Sequence, residues 1–174
     1  MNAKKIFLLL ICVVFTYLLT SCYSDTVKSA DDYDEFREDM KEEYEPIYEL
    51  LPEVADKSCI QDMYLHMFED ILDTNYAIYL NCVYSDEDYE REEERLTKLF
   101  GDMEFLQTNP KSFEYESLMT GFLTEHHLQY EYALFDRENL RIVYVWLYED
   151  QTHHRYTKIP EEYLPKELLE SSWW

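Results

Sequence analysis

The stretch that decides the fold is "LRIVYVWLY", residues 140–148. Ile142, Tyr144, Trp146 and Tyr148 share one parity and Val143, Val145 and Leu147 the other, so an extended chain here is apolar on both faces. β-Branched and aromatic side chains dominate it, which favours a strand. A strand with two apolar faces needs cover on both, and that places it in the interior of a sheet.

Working outward, "LQYEYALF" (128–135) alternates Leu128, Tyr130, Tyr132 and Leu134 against Gln129 and Glu131. It reads as a strand with one apolar and one polar face. The four residues "DREN" (136–139) between the two segments suit a hairpin turn. Residues 113–124 are mixed and are taken as a further strand.

A second hairpin lies upstream. "CIQDMYLHM" (59–67) puts Cys59, Met63, Leu65 and Met67 on one parity, and "YAIYLNCVY" (76–84) does the same for Tyr76, Ile78, Leu80, Cys82 and Tyr84. A register in which opposed residue numbers sum to 141 sets Met63 against Ile78 and Leu65 against Tyr76, so the apolar faces coincide. It also sets Cys59 against Cys82, at the range a disulfide spans. Two small thiols on a core face are also stable unbonded, so the pattern admits both states.

Two helices complete the plan. Ser85 caps the first, Asp86, Glu87 and Asp88 suit the positive end of its dipole, and Gly101 lies just past its end. Its narrow stripe of Tyr89, Leu96, Leu99 and Phe100 marks a surface helix with an acidic outer side. Phe36, Met40, Tyr44, Ile47 and Leu51 recur every three or four residues and predict a helix over 32–44, which Pro46 converts into an irregular or short helical piece through Pro52.

Acidity excludes whole classes of partner. The chain carries 15 Lys and Arg against 38 Asp and Glu. Such a surface repels phosphates, so nucleic acid is not a partner, and an anionic membrane would not hold the chain by charge. A protein or a cationic peptide remains compatible. The 17 Tyr and 3 Trp serve equally a β core and a binding surface.

Catalytic signatures are missing. With only Gly101 and Gly121 there is no phosphate-cradling loop, dinucleotide fingerprint or nucleophile elbow, and no zinc or calcium motif is present. No cofactor, metal or catalytic residue is assigned. His126-His127 and His153-His154 are the remaining chemistry: Glu125, His127 and one of His153 or His154 would bind metal only if their segments meet in space. His66 reads as an ordinary sheet residue.

The start of the chain supplies the one specific motif. Lys4 and Lys5 precede an apolar run from Ile6 to Leu19, and "LTSC" (19–22) closes it. The run is too short for a permanent spanning helix and has the layout of a secretory signal. Here the sequence resembles the bacterial lipoproteins, whose lipobox "LTSC" matches at all four positions. The resemblance covers residues 1–22 and implies a diacylglyceryl group on Cys22, cleavage after Ser21 and acylation, palmitate among the chains, at the new amino terminus. Tyr23, in place of the Asp that retains such proteins at the inner membrane, implies an outer membrane location in a cell that has one. Loss of the leader moves the net charge from −23 to −25.

The expectation is therefore an α+β protein: a cleaved signal peptide (1–21), a lipidated N-terminus with a flexible tether (22–32), and a single acidic domain (33–174). That domain has one antiparallel sheet of about five strands, with helices mainly on one face. The functional expectation is a cell-envelope lipoprotein, anchored through Cys22 on the outer side of the cytoplasmic membrane and acting as a non-enzymatic binding module. Its alternative is a small envelope enzyme or metal-dependent binder built on the His and Glu residues.

Overall fold

The computed structural model describes residues 23–27, 29–69, 74–101, 115–123, 128–149 and 159–169. Residues 1–22, both histidine pairs, Glu125 and the terminal Trp173 and Trp174 lie outside these. The strands are β1 (Tyr23–Val27), β2 (Ile60–Glu69), β3 (Thr74–Val83), β4 (Glu116–Leu123), β5 (Leu128–Asp136) and β6 (Arg141–Glu149). They form one antiparallel sheet in the order β1-β2-β3-β6-β5-β4. The helices are α1 (Tyr33–Glu43), α2 (Glu45–Leu50), α3 (Asp86–Gly101) and the short α4 (Lys166–Leu169). An α+β architecture with one antiparallel sheet agrees with the sequence, and β6 lies in the interior of the sheet.

The expected count of about five strands is corrected to six among the described residues. The additional strand is β1, which falls where a flexible tether was expected. Its register sets Tyr23 opposite Glu69 and Val27 opposite Leu65. Ser, Thr and Asp around a single Val carry no period-2 signal. The partner edge of β2 supplies the backbone hydrogen bonds that local sequence does not advertise.

The β2–β3 register is corrected as well. Met63 faces Leu80 and Leu65 faces Ile78, an offset of two from expectation, and the ladder shifts between Ile60 and Asp62. Ile60, not Cys59, stands opposite Cys82, while Cys59 ends a 3₁₀ turn (Lys57–Cys59) just ahead of β2. A shift of two keeps every side chain on its face, so hydrophobic alternation cannot choose between the registers.

Pro46 acts as a helix start. It occupies the first turn of α2, where its missing N–H costs nothing, and its ring excludes continuation of α1. Tyr44 makes the joint, with φ −151° and ψ 79°. Along α3, the Ser85 hydroxyl accepts from the Asp88 N–H at 3.3 Å, and Tyr89, Leu96 and Phe100 are buried. Gly101 is the last residue of α3.

Both faces of the sheet are covered. On one, α1, α2 and α3 pack Tyr33, Phe36, Met40, Ile47, Leu50, Leu96 and Phe100 against Leu65, Ile78, Leu80, Tyr144 and Trp146. On the other, Ile159, Tyr163, Leu164 and Leu168 lie over Ala77, Tyr79, Tyr132, Val143 and Val145. Tyr79 stacks on Tyr163 at 5.7 Å, and the Tyr132 hydroxyl donates to the Tyr163 carbonyl at 2.8 Å. The three longer helices thus share one face, and a short C-terminal segment seals part of the second.

Candidate functional site

The site is built at the end of the sheet where β2 begins and β3 finishes. An open groove of about 380 Å³ lies there, within the size range of small-ligand clefts. Cys59 lines it, together with Val54, Asp56, Tyr84, Asp88 and Arg91. The 3₁₀ turn that presents Cys59 is fixed by Asp56, whose carboxylate accepts from the Ser58 N–H at 2.9 Å. That backbone bond and the Ser58 side chain hold the Asp56 carboxyl below its usual range.

Behind Cys59 lies Cys82, fully buried. Both are thiols, and Cys59 stands one position ahead of Ile60, the residue opposite Cys82. The neighbouring Cys82 side chain pulls the Cys59 thiol below the ordinary cysteine value, against the push of burial, Asp56 and Asp88. Cys82 is pushed far up, first by Cys59 and then by burial. The inner thiol therefore holds its proton. This proximity survives the corrected register, because Cys59 precedes the residue opposite Cys82 by one position.

A polar chain runs inward from the groove. The Tyr84 hydroxyl lies 2.7 Å from that of Tyr144, which donates to Glu92 at 2.9 Å. Arg95 holds both Glu92 oxygens, at 2.6 and 2.9 Å, and also donates to the carbonyls of Glu49 and Leu50 at the end of α2. Its cation thereby satisfies acceptors that a helix C-terminus leaves open. Burial drives the Tyr84 and Tyr144 hydroxyls well above the ordinary phenol value, so both remain donors.

Charge along the groove is mostly negative. Glu53, Asp56 and Asp88 line it against Arg91, which is tied to Asp88 at 2.5 Å. The exposed outer side of α3 adds Glu87, Glu90 and Glu94.

Sequence reasoning missed one buried acid. Glu131 was expected on the polar face of its strand, yet it is 4% exposed and stands opposite Trp146 in β6. Glu131 Oε1 and Trp146 Nε1 have no partner among the described residues. Burial, with a smaller push from Glu49, raises the Glu131 carboxyl to about 8. Ala133 and Phe135, which continue its parity as apolar residues, were the available signal.

His66 is a satisfied sheet residue, its Nδ1 2.8 Å from the Thr26 hydroxyl and its ring stacked on Tyr64. Among the described residues no group of three or more His, Cys, Asp or Glu is placed to hold a metal ion, and no helix is long and apolar enough to cross a membrane. No protein-family model, curated protein or solved structure matches the chain.

Proposed function

We propose that the chain is a cell-envelope lipoprotein, cut before Cys22, held by acyl chains on that residue, and acting as a non-enzymatic binding module for a cationic segment of a peptide or protein. Nucleic acid is not among its partners. Two or more acyl chains hold a protein stably where one holds it marginally, so Cys22 would be a durable tether on the outer side of the membrane.

The observation that carries this reading is the position of β1. It begins at Tyr23, directly after the proposed anchor, and pairs with the Glu69 end of β2. The groove lies at the other end of β2, which at ten residues is about 30 Å long. Such an arrangement would hold one end of the sheet at the lipid surface and turn the acidic groove toward the partner.

The test is the intact mass of the native protein extracted in detergent. The expected mass lacks residues 1–21 and carries acyl chains, and Cys22→Ser abolishes lipid labelling. An unmodified mass that retains residues 1–21 sinks the anchor. For the groove, the extracted protein is expected to bind a lysine-rich peptide, more weakly at high salt and in Glu53→Gln. Binding indifferent to both changes sinks the assignment.

A further inference from the structure

We propose that Cys59 and Cys82 form a reactive dithiol that reduces a cationic organic disulfide bound in the acidic groove, with Cys59 as the attacking thiol and Cys82 as the resolving one. The inference rests on the groove of the proposed function and not on the lipid anchor. Its geometric basis is the unequal placement of two neighbouring thiols: Cys59 is half-buried and lines the groove, whereas Cys82, opposite the next residue Ile60, is fully buried and does not line it.

The order of events follows from that placement. The Cys59 thiolate attacks one sulfur of the bound disulfide RS–SR, forming Cys59–S–S–R and releasing RS⁻, which takes up the proton that Cys59 gave up. Cys82 then loses its proton, and its thiolate attacks the Cys59 sulfur. A Cys59–Cys82 disulfide forms and a second RS⁻ departs with that proton. Two electrons pass from the protein to the ligand, and one RS–SR yields two RSH.

Placement also sets the second step. Cys82 is buried and does not line the groove, so the ligand meets Cys59 first, and once Cys59 is capped its sulfur is the one beside Cys82, because Cys59 stands one position ahead of Ile60, the residue opposite Cys82.

Glu53, Asp56 and Asp88 decide the ligand charge. A dicationic disulfide is concentrated in the groove and a dianionic one is repelled.

The experiment uses the reduced, detergent-extracted protein, with cystamine and oxidised glutathione as probes and peptide mapping of Cys59 and Cys82. In wild type, cystamine is expected to give a short-lived adduct at Cys59 and then a Cys59–Cys82 disulfide. Cys82→Ser should accumulate the Cys59 adduct, and Cys59→Ser should leave Cys82 unmodified in the folded state. Cystamine should react about tenfold faster than oxidised glutathione at low salt, the difference shrinking as salt rises.

A stable Cys59 adduct in wild type, first attack by Cys82, or equal rates for the two probes overturns the inference. A protein that binds the lysine-rich peptide yet leaves cystamine unreacted overturns the exchange alone. Failure to bind the peptide, together with equal probe rates, overturns the binding groove as well.

Discussion

Two glutamates meet the same sheet face and fare differently. Glu92, on α3, gives both carboxylate oxygens to Arg95 and one to the Tyr144 hydroxyl. Glu131, in the middle of β5, faces Trp146 across the ladder with one oxygen unpartnered among the described residues. The first carboxylate links α2, α3 and the sheet. The second is held neutral because nothing beside it makes ionisation cheap, and its carboxyl is raised to about 8. Burying an acid is thus tolerated in two ways: by supplying a cation and donors, or by keeping the proton.

The largest effect expected to break this contrast is pH. Unfolded, Glu131 loses its proton near its ordinary 4.5; folded, it keeps it to about 8. Between those values the native state binds a proton that the unfolded state has released, so stability falls as pH rises and levels off above about 8. Urea denaturation of wild type and Glu131→Gln, which cannot ionise, should differ little at pH 5. By pH 9 the variant should be the more stable by roughly 3–5 kcal/mol. A difference that does not change with pH would mean that Glu131 ionises in the fold as freely as in water.

Next in size is removal of the cation. Arg95→Ala leaves Glu92 unpaired against the sheet and reopens the Glu49 and Leu50 carbonyls, at an expected cost of about 3 kcal/mol by urea denaturation. A loss below roughly 1 kcal/mol would place Arg95 with ordinary surface ion pairs. The smallest effect belongs to Tyr144→Phe, which removes one donor while Arg95 still holds Glu92. It should cost about 1 kcal/mol. A larger loss than that of Arg95→Ala would make the tyrosine pair, and not the ion pair, the main tie.

The groove shows how far spacing alone reaches. Cys59 and Cys82 were placed near one another from parity, and their proximity survived a wrong register because the shift between Ile60 and Asp62 leaves Cys59 one position ahead of the residue opposite Cys82. Glu131 was not found, because Gln129 and Glu131 together imitate a solvated face. Tyr79, expected to share a strand with one buried side, is buried on the second face by Tyr163, more than 80 positions later.

What the sequence determined by itself are the features whose causes lie within a few residues. These are the Ser85 cap and apolar stripe of α3, the break in the first helical stripe at Pro46, the hairpin closed by "DREN", and the interior place of "LRIVYVWLY" with its two apolar faces. Tertiary structure alone decided the sixth strand at Tyr23–Val27, the β2–β3 register, the C-terminal cover of the second face and the burial of Glu131. Each of these depends on a partner distant in the chain. Periodicity records which side of a strand is apolar, but not which neighbour pairs with its edge or what comes to lie on top of it.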